Sequence, residues 1–175
     1  MTRSLPFFWC LLSTSVLAGV LFLCAGRADI PMVKIYLLIF AGLGLATSLF
    51  TDSSQDGERR KPSPGDSDSG SRVAASFLFL VTVIVAALDT GRFHWTVGLT
   101  AIAQILALMA FALAASIQVW AMAMNPFFST AIRIQTERGH KLVTRGPYRF
   151  VRHPGYLAMA VIMPATAIVF GSVFA

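Results

Sequence analysis

Residues 125–156, NPFFSTAIRIQTERGHKLVTRGPYRFVRHPGY, concentrate the side chains able to do chemistry. They hold His140 and His153 of the chain's 3 histidines, Tyr148 and Tyr156 of its 3 tyrosines, and the basic residues Arg133, Arg138, Lys141, Arg145, Arg149 and Arg152. Glu137 is the one acid. Gly139, Gly146-Pro147 and Pro154-Gly155 punctuate the stretch into short pieces. The two histidines have no cysteine and no set of carboxylates beside them, so the stretch does not read as a metal centre. A basic connector lying on anionic headgroups would gain about 1 kcal/mol per cation near the surface. Such a connector needs no particular order of histidines, tyrosines and glycine-proline turns, and here that order is dense. The pattern asks for more than attraction to lipid, and no catalytic residue is assigned.

The elements around this loop follow from composition. Of 175 residues, 56% are hydrophobic and 13% charged, against roughly 25% charged in an ordinary soluble domain. This excludes a disordered chain and argues against a water-soluble globule. A bilayer core about 30 Å thick needs about 20 apolar residues in a helix, and five segments qualify: residues 5–24, 30–50, 73–88, 97–124 and 156–175. The expected fold class is therefore all-α, a polytopic transmembrane helix bundle of about five membrane helices with a cytoplasmic loop. By region, 1–50 holds the first two helices, 51–72 a disordered loop rich in Ser, Asp, Gly and Pro, 73–124 helices three and four, and 125–175 the basic loop and fifth helix. Asn125-Pro126 should end the fourth helix, because proline disfavours helix at the residue before it. The first apolar run exceeds the 7–15 residues of a signal core and lacks a small-residue cleavage site, so it reads as a retained helix.

Within the spans, polar groups read as packing elements. Gln104 and Gln118 lie near one face of the fourth helix as interhelical hydrogen-bonding groups, and Ala103, Ala107, Ala110 and Ala114 offer the small-residue spacing that lets helices approach. Phe93, His94 and Trp95 suit an interfacial belt. Cys10 and Cys24 share a helix face but lie ~21 Å apart along it, too far for a disulfide.

A net charge of +6 would suggest nucleic acid in a soluble protein; on this chain it orients the membrane helices instead. With the N-terminus cytoplasmic, Arg3, the 51–72 loop and the 125–155 loop place most of the basic residues inside. Arg27, Lys34 and Arg92 remain outside. The expected location is a cell or inner membrane, multi-pass, with the N-terminus and the 125–155 loop cytoplasmic. Membrane lipid is an expected partner and nucleic acid is not.

The blocks His140-Lys-Leu-Val-Thr-Arg-Gly-Pro-Tyr148 and Arg152-His-Pro-Gly-Tyr156 resemble the isoprenylcysteine carboxyl methyltransferase family of membrane enzymes, related more remotely to phospholipid N-methyltransferases. The resemblance implies S-adenosylmethionine bound at the cytoplasmic face in a pocket without a Rossmann sheet. It implies cofactor contacts at His140, Lys141, Leu142, Val143, Tyr148, His153, Pro154, Gly155 and Tyr156. Such a ligand suits these residues. His153 beside Arg152 can donate charge-assisted bonds to its carboxylate, and Tyr148 and Tyr156 offer aromatic faces to its adenine or sulfonium. Leu142 and Val143 can form an apolar wall. The implied activity is methyl transfer from S-adenosylmethionine to a lipophilic acceptor. Alternatives are a phospholipid or thiol methyltransferase of the same fold, or a non-catalytic membrane protein whose basic loop binds anionic lipid. No G-x-G-x-x-G supports nicotinamide binding.

The family pattern continues into another apolar stretch and a cytoplasmic helix carrying an arginine and paired glutamates. Here the chain runs to Ala175, and its glutamates are Glu58 and Glu137. The expectation is a truncated methyltransferase core, or a remnant whose pocket is completed by a partner chain or left empty.

Overall fold

A chain this apolar must satisfy its own backbone hydrogen bonds, and a helix does so within a single segment. The computed structural model describes residues 4–50, 69–128, 139 and 141–175. It contains α1 (Ser4–Ala25), α2 (Pro31–Phe50), α3 (Ser69–Leu88), α4 (Ala101–Met124) and α5 (Pro154–Val169). A π-helical turn (Asp89–Phe93) extends α3, and a 3-10 turn (Gly146–Arg149) precedes α5. Among the described residues, four stretches are long and apolar enough to cross a membrane: Phe7–Ala25, Pro31–Phe50, Val73–Phe93 and Ala101–Met124. The architecture is an all-helical membrane bundle.

Three boundaries differ from the sequence expectation. Helix α3 begins at Ser69, so residues 69–72 are helical and not part of the loop; residues 51–68 lie outside the described residues. Helix α4 begins at Ala101 and not at Val97, because Gly98 takes a left-handed φ of 84° and the Thr100 side chain caps the helix, accepting from the Ala103 N–H at 3.2 Å. The fifth span, expected over 156–175, is the 16-residue α5. At 1.5 Å per residue it is ~24 Å long, short of the ~30 Å hydrocarbon core. Gly171 (φ 85°) stops it: the Gly171 N–H donates to the Ile168 carbonyl at 2.9 Å and the Ser172 N–H to the Ala167 carbonyl at 3.0 Å. This is the paired C-terminal bonding of a Schellman cap.

Without a hydrophobic drive between lipid-facing helices, close approach of small residues holds a membrane bundle together. Helices α4 and α5 make the most extensive contact in the bundle. Ala107, Phe111, Ala114 and Ala121 of α4 are buried, as are Ala158 and Ala165 of α5. Of the expected alanine stripe, Ala107 and Ala114 are buried and Ala103 and Ala110 half-buried. Helices α1 and α2 meet at Gly44, where a Cβ would sit 2.6 Å from Cys10 Sγ. Both cysteines are free thiols, Cys10 donating to the Ala41 carbonyl at 3.6 Å.

Tyr36 of α2 joins three helices. It is fully buried, its ring centroid 4.3 Å from that of Phe111 and 4.8 Å from that of Phe170. The end of the bundle near residue 170 is tied by polar bonds. Gln104 Nε2 donates to the Val169 carbonyl at 3.1 Å, the interhelical role expected of it, and Thr90 donates to the Phe170 carbonyl. The buried Asp89 carboxylate accepts from Thr96 N at 2.9 Å and Thr96 Oγ1 at 2.6 Å, and the Val173 N–H donates to Thr96 Oγ1 at 3.0 Å. Phe93 and Trp95 stack at 4.8 Å on this end, both half exposed, with the exposed His94 between them in sequence.

Candidate functional site

At the opposite end, α4 stops where the sequence places its break. Pro126 cannot donate to a helical ladder, and Asn125 takes an extended conformation after its N–H has bonded the Ala121 carbonyl at 3.1 Å. The Asn125 side chain then turns the chain: Oδ1 accepts from the Phe127 N–H at 2.9 Å, and the Phe128 N–H donates to the Asn125 carbonyl at 3.0 Å. Asn125 Nδ2 donates to the Tyr148 hydroxyl at 3.1 Å, tying the helix end to a turn 23 residues further on.

That turn rests on α4. Gly146 has a φ of 61°, a backbone conformation that L side chains rarely adopt. A Cβ there would lie 2.6 Å from Met124 Cγ and 3.3 Å from Trp120 Nε1. Pro147 is buried, and its carbonyl accepts from both Phe150 N and Val151 N at 3.1 Å, closing the 3-10 turn. Tyr148 is thereby held half-buried beside the helix end. Burial pushes its hydroxyl pKa up, and the donated Asn125 bond partly offsets this by favouring the phenolate.

Helix α5 starts against the same surface. Pro154 occupies its first turn, where the missing N–H costs nothing, and it is buried. Gly155 faces the Phe128 ring, with a Cβ position 3.1 Å from it. Pro154-Gly155 therefore opens a helix and is not a turn. His153 precedes the helix and is exposed; its ring centroid lies 5.8 Å from that of Tyr156, which is 57% exposed. The first N–H groups of any helix lack intrahelical partners and carry a partial positive charge. An exposed imidazole and phenol thus flank an anion-favouring backbone.

The predicted site residues fall into three groups. Tyr148 is anchored to the end of α4 through Asn125, while Pro154 and Gly155 with the exposed His153 and Tyr156 form the start of α5. Phe128 and Met124 bring these two groups onto one helix end. Lys141 and Leu142 are exposed, Leu142 at 88%, and Val143 is half-buried. Among the described residues no hydrogen bond ties these three to the other two groups. His140 lies outside the described residues. Lys141, Arg145, Arg149 and Arg152 are all exposed, and none forms an ion pair among the described residues. Among those residues there is also no group of three or more His, Cys, Asp or Glu able to hold a metal.

Sequence reasoning missed Trp120, Met124 and Phe128 as the seat of the site. They sit in or beside an apolar helix with no local mark of that role. Beside the seat an apolar crevice of about 410 Å³ opens between α2 and α4, lined by Leu43, Ala46, Phe50, Ser116, Trp120 and Met124 among others.

The model of the isoprenylcysteine carboxyl methyltransferase (ICMT) family matches residues 104–174, a range that takes in nearly all of α4, the 3-10 turn and α5. No curated protein and no solved structure matches the chain. Over residues 104–174, fewer than half of its residues, the chain is similar to the isoprenylcysteine carboxyl methyltransferase family.

Proposed function

We propose that this protein is an integral membrane methyltransferase that uses S-adenosylmethionine to methylate a lipophilic acceptor. The observation that carries the reading is the shared seat of Tyr148 and the His153–Tyr156 helix start within the family-matched segment. The donor set fits the cofactor's chemistry. The α5 N-terminus with His153 and Arg152 suits an amino-acid carboxylate. Tyr156 and Tyr148 suit a sulfonium or an aromatic base, a contact worth about 0.5–2 kcal/mol. Leu142 and Val143 supply apolar surface, and His140 and Lys141 complete the set carried by the family resemblance.

When bound, S-adenosylmethionine supplies an already activated methyl group, transferred by in-line displacement at its sulfur. The protein's work is then to position the acceptor and exclude water. A carboxylate or thiolate acceptor needs no strong base. The crevice between α2 and α4 touches Trp120 and Met124, on which Gly146 rests, so a hydrocarbon chain lying there would bring its polar end near Tyr148. An isoprenylcysteine, a phospholipid amine or a lipophilic thiol would meet this description. The positive-inside rule places the N-terminus and the site at the cytoplasmic face.

A second reading is favoured by the exposed Arg145, Arg149 and Arg152: a non-catalytic loop that binds anionic lipid. The experiment that separates the two is S-adenosylmethionine binding to the detergent-purified chain, with His153→Ala and Tyr148→Ala variants. Saturable binding lost in both variants supports the methyltransferase. Absence of binding, with vesicle association that falls with salt and follows total charge, supports the lipid-binding loop.

A further inference from the structure

The orientation of the Asn125 amide is fixed by its neighbours. Its Oδ1 accepts the Phe127 N–H at 2.9 Å, so the group facing the Tyr148 hydroxyl at 3.1 Å is Nδ2. Turning the amide over would set its NH₂ against a backbone N–H, donor against donor. The Tyr148 oxygen is therefore the acceptor in this pair, and its own proton is left to donate elsewhere. An aromatic face alone would be supplied as well by phenylalanine. A half-buried hydroxyl with a dedicated amide partner supplies something more.

We propose that Asn125 is a positioning residue of the ligand site: by holding the acceptor side of the Tyr148 oxygen, it makes that hydroxyl a directed donor to an oxygen or nitrogen acceptor of bound S-adenosylmethionine. This rests on the methyltransferase reading and adds to it a residue outside the two sequence blocks. A phenol is protonated at neutral pH, the state in which it donates, and burial moves its pKa further from that range. A neutral hydrogen bond of this kind is a modest contributor, so its loss should weaken binding roughly three- to tenfold.

The test measures S-adenosylmethionine affinity of the full chain in detergent for wild type, Tyr148→Phe, Asn125→Asp and the double variant. Aspartate keeps an oxygen for the Phe127 N–H, preserving the helix end, but takes the Tyr148 proton for itself. Tyr148→Phe and Asn125→Asp are each expected to weaken binding by the stated factor, and the double variant to bind no more weakly than either. Wild-type affinity in Asn125→Asp, or a double loss equal to the product of the singles, would overturn the proposal.

A second readout does not depend on ligand. The ultraviolet tyrosinate titration of Tyr148, isolated by subtracting Tyr148→Phe, should move to higher pH in Asn125→Asp. An unshifted titration with intact ligand binding overturns the role of Asn125 alone. A wild-type chain that binds no S-adenosylmethionine overturns the methyltransferase reading, and with it the ligand named here.

Discussion

Tyr36 and Thr166, 130 residues apart in sequence, meet hydroxyl to hydroxyl at 3.3 Å inside the bundle. Thr166 Oγ1 already donates to the Ile162 carbonyl at 2.8 Å, so the shared proton comes from Tyr36. The bond joins α2 to the α4–α5 pair that carries the site. Tyr36→Phe should cost about 1 kcal/mol, the scale of an interhelical hydrogen bond in a membrane. Tyr36→Ala, which also empties the space between Phe111 and Phe170, should cost about 3–5 kcal/mol. Thermal unfolding in detergent would order the two. S-adenosylmethionine binding by Tyr36→Phe should match wild type, because Tyr36 packs on Phe111 near the middle of α4 and the site sits at the helix's C-terminal end.

Gly44 is a packing requirement of the α1–α2 contact. An alanine there would press on Cys10 Sγ at 2.6 Å, whereas Cys10 Cβ lies 3.7 Å away. Gly44→Ala alone should destabilise by about 1–3 kcal/mol, the range for overpacking. Adding Cys10→Ala removes the sulfur and leaves ordinary contact, so the double variant should recover most of the loss. A melting temperature of the double variant no higher than that of Gly44→Ala would show that the crowding lies elsewhere.

Legibility in the sequence tracked how local each cause was. The number of long helices and their type followed from apolar run length, since lipid leaves the backbone no other solution, although the fifth proved too short to be a full span. The end of α4 at Asn125-Pro126 followed from proline's covalent geometry. The end of α5 did not, because VFGSVFA is as apolar as the helix before it. Gly171 acts there through a left-handed cap, and Gln104 and Thr90 hold the reversal from other elements. The same limit applied at the site. His153, Pro154 and Tyr156 were legible as a block, but their seat on Phe128, and the bond from Asn125 to Tyr148, are tertiary contacts that no local pattern announces.

Gly146 tests whether the turn must keep its shape for the site to work. Any other L residue would meet both the positive φ of 61° and Met124 Cγ. The backbone term alone is about 1–2 kcal/mol, so Gly146→Ala should weaken S-adenosylmethionine binding by about tenfold or more. Combining it with Met124→Ala relieves the crowding but not the backbone, and should recover only part of the loss. The unfolding temperature should move little, since the 3-10 turn lies outside the helix core. A large drop in stability with unchanged affinity per folded molecule would place the glycine's role in folding.

Alkaline pH should act through Tyr148. Burial raises its pKa in the folded chain above the ordinary 10.0 of an unfolded tyrosine. The folded state thus prefers the protonated phenol. Its contribution is fully present below about pH 10 and is lost as pH rises through the higher native value. Wild type should therefore lose melting temperature more steeply than Tyr148→Phe above about pH 10, with the two curves parallel below it. Lysine deprotonation in the same range is common to both chains and cancels in the difference. Asn125→Ala removes the donor that favours the phenolate, so it should make the alkaline fall steeper than in wild type. Identical slopes for wild type and Tyr148→Phe would show that the hydroxyl ionises as freely in the folded chain as in the unfolded one, and would remove the basis for its burial against the end of α4.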